Sequence, residues 1–295
     1  MENLTFYIVD VFTEERYAGN QLAVVRDAKP LSDTEMQRIA REMNYSETTF
    51  ILSDKKQAGG YDVRIFTPEK EVPFAGHPTL GTAYVIQHEI IREPIKTIIM
   101  NLKIGQIPVT LNYRGEHIDI LWMTQIDAVF GLIFDPEPIS QVLGLDKREI
   151  DDRFPIQEVS TGIPFIIVPL KTLDALKQAR VARDRYFKLI KDTQAKAILI
   201  FCPETYNQEN DLNVRVFADY YGVPEDPATG SANGCLSGYL VKYHYFEKDQ
   251  INIQVEQGYE IGRPSLLFLR AEDNKGKIDI SVGGKVVMIA KGEFI

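Results

Sequence analysis

The sequence has little cysteine, no long hydrophobic run and no excess of positive charge. Its 295 residues include two cysteines, Cys202 and Cys235, too few for a disulfide framework and, by themselves, for a metal cage. The 33 Lys and Arg residues are outnumbered by 42 Asp and Glu, so the net charge is −9. That balance disfavours nucleic acid and anionic membrane surfaces as partners. The apolar stretches are far shorter than the roughly 18 residues that a membrane helix needs.

The beginning of the chain also lacks the features of a targeting segment. The residues Met1-Glu2-Asn3-Leu4-Thr5 include neither a basic region nor the start of a long apolar one. Hydrophobic residues make up 44% of the chain and charged residues 25%, which is ordinary for a folded globular protein. At roughly 150 residues per domain, the length predicts two domains or one large one. We expect a cytoplasmic protein with no membrane partner.

Short runs rich in Val, Ile, Thr and aromatic residues predict strands, with a few helices between them. The strands predicted in the first half are Leu4–Val11, Gln21–Val25, Glu47–Leu52, Tyr61–Phe66, Thr97–Asn101, Pro108–Tyr113 and His117–Trp122. Ser32 and Glu35 form the pattern of a capping box, which predicts a helix up to Met43. A second helix is predicted in the apolar run around Pro78, and its lack of a polar face predicts burial.

The second half of the chain repeats the plan of the first. Val63-Arg64-Ile65-Phe66, six residues and Pro73 correspond to Val214-Arg215-Val216-Phe217, six residues and Pro224. In each copy a polar loop and an apolar helix come next, which indicates two similar lobes. A buried apolar helix needs a sheet around it. We therefore predict an α+β fold of two pseudo-symmetric lobes, each a mixed β-sheet wrapped as a barrel around a central apolar helix.

The boundary between the lobes is predicted near two prolines. Pro136 and Pro138 interrupt the pattern, and we assign residues 1–130 to the N-terminal lobe and 131–295 to the C-terminal lobe. Strands predicted after the second helix are Ile251–Val255, Ser265–Arg270, Ile278–Val282 and Val286–Ala290. Gly283-Gly284 is interpreted as a two-residue hairpin turn. These strands close the second lobe, with the option that the last of them crosses back to the first.

The polar residues of the two repeated loops are candidates for a ligand site, because such sites favour the cleft between domains. His77, after Gly76, lies at a helix start, where backbone N–H groups favour an anion. The second loop offers Asp226, Gly230 and Ser231, and its glycine permits close approach of a ligand to the backbone. A carboxylate-bearing substrate fits two such helix starts.

Glu47 is a further candidate, because it begins an otherwise hydrophobic strand. Partial burial would raise its pKa, so that it could take and return a proton near neutral pH. Each candidate also has a structural alternative. Glu47 can be a solvated charge at a strand end, His77 a residue that caps its helix, Asp226 an N-cap, and Ser231 a small residue that permits helix packing.

Other polar residues carry no comparable signal. Cys202 ends a hydrophobic strand and Cys235 lies a turn inside the second apolar helix, so both are predicted to be unpaired core residues. His88, His117 and His244 are predicted at the surface. The sequence contains no phosphate-binding loop, dinucleotide fingerprint or His-Glu-x-x-His motif. We therefore expect neither a metal nor a cofactor.

Four motifs in register resemble a known family. They are Tyr17-Ala18-Gly19-Asn20-Gln21-Leu22-Ala23-Val24, Ser46-Glu47-Thr48-Thr49-Phe50, Phe74-Ala75-Gly76-His77-Pro78-Thr79-Leu80-Gly81 and Glu225-Asp226-Pro227-Ala228-Thr229-Gly230-Ser231-Ala232. Together they resemble the PhzF-like family, named for the phenazine biosynthesis isomerase and belonging to the diaminopimelate epimerase fold. The resemblance runs from the first strand to the C-terminus.

The resemblance implies a cofactor-independent isomerase that is a homodimer and acts on a small carboxylic acid. It makes Glu47 the general acid and base that moves a carbon-bound proton, with His77 and Asp226 polarising or protonating the substrate. Ser231 and the backbone of Gly230 hold the substrate carboxylate.

Two further residues are predicted to bind the substrate, one from the family resemblance and one from its place at the first helix start. Asn20 resembles a substrate-contacting asparagine of the wider fold, and Gly76 belongs to the anion-favouring helix start. Racemases and epimerases of this fold use paired cysteines as bases, but neither cysteine here lies at the matching position. The alternatives that stay open are an epimerase of an amino or hydroxy acid and a non-catalytic protein that binds a small carboxylate.

Overall fold

A computed structural model describes residues 4–295 of the chain. Its strands are β1 (Leu4–Val11), β2 (Asn20–Val25), β3 (Thr48–Ile51), β4 (Tyr61–Phe66), β5 (Glu71–Val72), β6 (Thr97–Leu102), β7 (Gly105–Arg114), β8 (His117–Thr124), β9 (Val129–Phe134), β10 (Ile156–Ser160), β11 (Pro164–Pro169), β12 (Ala197–Cys202), β13 (Leu212–Ala218), β14 (Val223–Asp226), β15 (Gln250–Gln257), β16 (Ser265–Asn274), β17 (Lys277–Gly284) and β18 (Val286–Phe294). The α-helices are α1 (Asp33–Met43), α2 (Gly76–Val85), α3 (Pro136–Leu143), α4 (Leu173–Gln178), α5 (Arg183–Leu189) and α6 (Gly230–Lys242). None of these helices combines the length and apolar character of a membrane-spanning segment.

The local signals of the first half are confirmed. Ser32 caps α1 and forms the capping box with Glu35, and Asn44 ends the helix in the left-handed conformation. Strands β1 and β4 have the predicted bounds. Helix α2 begins at Gly76 and is followed by a π-helical turn, Ile86–Ile91, so the helix predicted around Pro78 is confirmed as well.

The chain divides into two compact units. The first unit consists of residues 4–124 together with Gly283–Ile295, and the second of Gln125–Val282. The boundary between the units therefore lies after Thr124. The boundary predicted after residue 130 falls inside β9, which pairs with β10.

The strands of the first unit pair in both parallel and antiparallel orientations. Strand β1 pairs antiparallel with β18 and β2; β2 pairs parallel with β3, and β3 pairs antiparallel with β4. Strand β4 pairs antiparallel with β5 and parallel with β6, which continues antiparallel through β7 to β8. Helix α2 contacts β1, β2, β3 and β8. An added Cβ at Gly81 would lie 2.6 Å from a methyl carbon of Leu22, so glycine permits this close packing.

The second unit has the same sequence of pairings. Strand β10 pairs antiparallel with β9 and β11, β11 pairs parallel with β12, and β12 pairs antiparallel with β13. Strand β13 pairs antiparallel with β14 and parallel with β15, which pairs antiparallel with β16. Helix α6 contacts β10, β11, β15 and β16. The order of parallel and antiparallel neighbours thus matches that of β1 to β7 in the first unit.

An ion pair occupies the corresponding place in both units. In the first, Arg64 on β4 donates two hydrogen bonds to Glu71 on β5, at 2.9 and 3.0 Å. In the second, Arg215 on β13 donates two to Glu225 on β14, at 2.9 and 2.7 Å. The bidentate geometry ties the short strand that precedes each helix start to the sheet.

Two interpretations of the second half are wrong. Gly283 and Gly284 are not a hairpin turn, because both belong to β17, where their missing Cβ atoms leave room for Trp122 and Phe12 respectively. Pro136 and Pro138 do not mark the crossover between the units, which follows Thr124. They lie in the first turn of α3, where proline needs no N–H donor.

Candidate active site

Glu47 and His77 meet in the first unit. Glu47 directly precedes β3, and His77 is the second residue of α2. Their atoms Oε2 and Nε2 lie 3.4 Å apart, with 18% of the Glu47 side chain and 7% of the His77 side chain exposed. Glu47 is therefore a largely buried carboxylate beside an imidazole, and its alternative as a solvated strand-end charge does not describe this geometry.

The environment of His77 keeps its ring neutral. Burial lowers the pKa of His77 to about 3, and a hydrogen bond with the Gln21 backbone opposes this shift only weakly. At neutral pH the ring has one protonated nitrogen and one lone pair. The Glu47 carboxyl group thus lies beside an uncharged imidazole and not beside a buried imidazolium.

The other predicted residues of the first unit lie close to these elements. Asn20 is buried at the start of β2, opposite Val11 of β1. Gly19 has a φ of +65°, and a Cβ there would lie 2.4 Å from the Val11 carbonyl oxygen, so only glycine fits before Asn20. Gly76 is the first residue of α2, whose N-cap position, Ala75, has no side chain that could cap the backbone N–H groups.

In the second unit, Asp226 ends β14 and Gly230 begins α6. Thr229 lies at the N-cap position, but its hydroxyl donates a hydrogen bond to Asp226 Oδ2 rather than capping the helix. Asp226 thus lies three residues before the N-cap position and is tied to it through Thr229. Gly230 is buried and Ser231 is half-buried in the first turn.

Three polar residues in and around this loop were not among the predicted site residues: Thr229, Asn233 and Gln257. Gln257 ends β15 and is fully buried, as is Asn233 in α6. The Gln257 amide contacts the backbone of Asp226 and of Thr229. The one local signal is Gly258, which has a φ of +80° and packs against the Pro227 carbonyl. A glycine at this position indicates a tight turn after β15, but it does not indicate that the Gln257 side chain contacts Asp226 and Thr229.

The cysteines are confirmed as buried and free. Burial raises the pKa of Cys202 to about 12 and that of Cys235 to about 11. The Cys235 thiol donates to the Ile163 carbonyl at 3.5 Å. Since a thiol base must ionise near neutral pH, neither residue is suited to that role.

Two predictions remain: three histidines at the surface and no metal site. His88, His117 and His244 are exposed, as predicted. Within residues 4–295, no three His, Cys, Asp or Glu side chains come together in the way that a metal site would require.

Comparison with known proteins gives full-length matches. A family model described as phenazine biosynthesis-like protein matches residues 9–292. A trans-2,3-dihydro-3-hydroxyanthranilate isomerase of Pseudomonas chlororaphis is 34% identical over 291 residues, which cover 98% of this chain and 99% of the relative.

Solved structures agree with these matches. A phenazine biosynthesis protein of the PhzF family from Bacillus anthracis superimposes with a TM-score of 0.91 at 28% identity, covering all of both chains. A probable proline racemase from Agrobacterium radiobacter has a TM-score of 0.64 at 10% identity, covering 99% of this chain and 93% of the other. The second likeness concerns the fold alone and indicates an α+β architecture of the epimerase type.

Proposed function

Because the chain belongs to the phenazine biosynthesis-like family and is an isomerase, we propose that it moves a carbon-bound proton on a small carboxylic acid. Glu47 is the general acid and base. The observation that carries this proposal is the largely buried Glu47 carboxylate 3.4 Å from His77. Such a carboxyl group can both accept and return a proton during one turnover.

The proposed reaction has two proton transfers. The Glu47 carboxylate takes a proton from a carbon atom conjugated to the substrate's acid group, and the electron pair of the broken C–H bond enters the conjugated system. The same carboxyl group returns the proton to a different carbon, which re-forms the carboxylate. Atoms and electrons balance without an oxidant, a reductant or a cofactor, so cofactor independence is part of the proposal.

The other predicted residues stabilise the charge that develops on the substrate. We assign a polarising or protonating role to His77 and Asp226. The neutral ring of His77 supports a hydrogen-bonding role, as a neutral imidazole can donate without adding a charge to the site. Backbone N–H groups at the two helix starts, at Gly76 and Gly230, favour the substrate carboxylate.

Two further side chains are proposed to bind substrate. Ser231 is half-buried in the first turn of α6 and contributes a hydroxyl to the carboxylate. Asn20 is buried at the start of β2, next to the glycine turn, and contacts the substrate. Both roles rest on the motif resemblance and on these positions.

The substrate class follows from the relatives. Several are named trans-2,3-dihydro-3-hydroxyanthranilate isomerase, so this cyclic amino acid is the first compound to test. An epimerase of an amino or hydroxy acid is the second candidate, and the likeness to a probable proline racemase extends only to the fold. The raised pKa values of both thiols count against two-thiol epimerisation.

Incubation in D₂O tests the proposal. The protein is mixed with trans-2,3-dihydro-3-hydroxyanthranilate and, separately, with a panel of amino and hydroxy acids, and deuterium on carbon is followed by NMR and mass spectrometry. The proposal predicts a shifted double bond, with deuterium at the new carbon position to the extent that the proton on Glu47 exchanges with D₂O before it is returned. Deuterium at the original carbon with inversion would favour the epimerase. Binding of an acid with neither exchange nor a shifted double bond would favour a non-catalytic carboxylate-binding protein.

The finer architecture is also a proposal. We propose that each mixed sheet wraps as a barrel around its apolar helix. This is supported in the first unit by the burial of residues 77–83 and by the contacts of α2 with strands throughout that unit. In the second unit, the burial of nearly all of α6 supports the same arrangement. A cytoplasmic location remains part of the proposal, and it is supported by two free cysteines, which suit a reducing compartment.

The homodimer is proposed to involve β9. This strand has the sequence Val-Phe-Gly-Leu-Ile-Phe and leaves Val129, Leu132 and Ile133 between 56% and 66% exposed. A long apolar strand left exposed is prone to association. A two-fold dimer would bury β9 of both copies in one interface, since a symmetric interface uses the same surface on both subunits.

A further inference from the structure

We propose that Thr229 and Gln257 are positioning residues that hold the Asp226 carboxylate as a hydrogen-bond acceptor during the reaction. The inference rests on the proposed function, because it specifies how one of the proposed catalytic residues works. It specifies which residues fix the orientation of the Asp226 carboxyl group. Hydrogen bonds of known direction connect these residues in and around the loop between β14 and α6.

The orientation of the Gln257 amide is determined by two backbone groups. Its Oε1 atom accepts a hydrogen bond from the Thr229 backbone N–H at 3.2 Å, and its Nε2 atom donates to the Asp226 carbonyl at 2.8 Å. A backbone N–H can only donate and a carbonyl can only accept. A flipped amide would place donor against donor and acceptor against acceptor, so only one orientation satisfies both contacts.

Asn233 supports the same orientation. Its Nδ2 atom donates to Gln257 Oε1 at 2.9 Å and to the Thr229 carbonyl at 3.1 Å. Both partners are acceptors at these contacts. The two buried amides of Asn233 and Gln257 therefore hold each other in single orientations.

The direction of the Thr229 hydroxyl follows from this. Gln257 Nε2 lies 3.0 Å from Thr229 Oγ1 and, as an amide nitrogen, can only donate to it. The single hydroxyl proton of Thr229 is then available to its other close neighbour, Asp226 Oδ2. Hydrogen bonds thus run from Gln257 to Thr229 and from Thr229 to Asp226.

This chain of hydrogen bonds defines what Asp226 can do. Because Oδ2 accepts a hydrogen bond from the hydroxyl, this oxygen is held in place beside Thr229. Gln257 is fully buried, and hydrogen bonds shielded from water are stronger. The carboxyl group of Asp226 is therefore held in one orientation, from which it polarises the substrate while Glu47 moves the proton.

The backbone around Gln257 is itself fixed against this loop. Gln257 is paired with Val214 of β13 on one side and with Ser265 of β16 on the other. At the next residue, Gly258, an added Cβ would lie 2.6 Å from the Pro227 carbonyl oxygen. The backbone of Gln257 is thus paired with two neighbouring strands, which makes its side chain a rigid support for Asp226.

The test compares Thr229→Val with Thr229→Ser in the deuterium assay on trans-2,3-dihydro-3-hydroxyanthranilate. Valine has the shape of threonine but lacks the hydroxyl, whereas serine keeps it. A hydrogen bond to a charged group predicts a loss of kcat of about 10- to 100-fold in Thr229→Val, with KM changed less than about threefold. Thr229→Ser should restore most of kcat. Gln257→Met should reproduce the loss of Thr229→Val.

Thr193→Val is the matched control, because it removes a hydroxyl in the same unit that donates only to the Ile190 and Ala195 carbonyls. Crystal structures of the Thr229 variants add a readout that needs no substrate. The Asp226 carboxylate should move or split into two conformers in Thr229→Val and stay in place in Thr229→Ser. An unmoved carboxylate in Thr229→Val would overturn the inference.

The outcomes separate the inference from the proposed function. If Asp226→Asn loses exchange while Thr229→Val exchanges at the parent's rate, the positioning role is wrong and the proposed function stands. If Asp226→Asn exchanges like the parent, the role of Asp226 is wrong. If the parent exchanges no acid, the proposed function fails, and the crystal structures still decide whether Thr229 and Gln257 hold the carboxylate.

Discussion

His77 Nε2 lies 3.4 Å from Glu47 Oε2, although His77 lies in the first turn of α2 and Glu47 precedes β3, far earlier in the sequence. Both side chains are largely buried. Because burial also keeps His77 neutral, the contact places a carboxyl group beside an uncharged imidazole.

Glu47→Gln should separate chemistry from binding. The glutamine keeps the size of the side chain but cannot carry the transferred proton, so deuterium exchange should fall at least about 100-fold. Affinity for the acid, measured by calorimetry, should change little because the helix starts at Gly76 and Gly230 are unaltered. Glu42→Gln, on the exposed face of α1, is the control. Exchange at the parent's rate in Glu47→Gln would show that Glu47 is not the base.

His77 should make the protein sensitive to acid. Its pKa is about 3 in the folded protein and about 6.5 when unfolded, so the unfolded chain binds the proton more readily. Stability is therefore lost as the pH falls through this interval. Between pH 7 and pH 4 the parent should lose about 3 kcal/mol more than His77→Asn.

Urea denaturation at a series of pH values measures this difference in the free energy of unfolding. His88→Asn serves as the control because His88 is exposed, and its pH dependence should follow that of the parent. Equal acid destabilisation of the parent and His77→Asn would contradict a buried neutral imidazole.

The two thiols should be unreactive in the native protein. Burial raises the pKa of Cys202 to about 12 and of Cys235 to about 11, so almost no thiolate is present at pH 8. Titration with a thiol reagent should label both slowly in buffer and rapidly in denaturant. Cys235→Ala should keep its deuterium exchange. Rapid native labelling of Cys235 with loss of activity would restore the thiol-base hypothesis.

Ile133→Asp should disrupt the proposed homodimer. A carboxylate on the exposed apolar strand β9 would be buried without a partner in both halves of a two-fold interface, which is costly. The parent should have twice the chain mass of 33.6 kDa in light scattering, and the variant should dissociate. Ile104→Asp, at another exposed apolar position, should keep the parent's mass. A monomeric parent would overturn the dimer.

Much of the local structure could be predicted from the sequence. The capping box of Ser32 and Glu35, the bounds of β1 and β4 and the buried helix around Pro78 were all confirmed. These features depend on neighbours within a few residues, so the pattern of side chains is sufficient to specify them. Burial of both cysteines followed from apolar runs in the same way.

The candidate site was predicted only as a set of residue types at helix and strand starts. Nothing in the sequence indicated that Gln257 would support the loop at Asp226, since that contact depends on the parallel pairing of β13 with β15. The neutral ring of His77 likewise depends on burial by the folded unit.

The end of the chain shows the same division between local pattern and tertiary contact. The sequence by itself determined that residues 286–290 form a strand, because their alternative conformations are limited by β-branched side chains. Only the tertiary structure decided that the preceding glycines belong to a strand against Trp122 and Phe12, and that β18 pairs with β1. Strand partners and desolvation are set by residues far apart in sequence, so a short-range pattern cannot contain them.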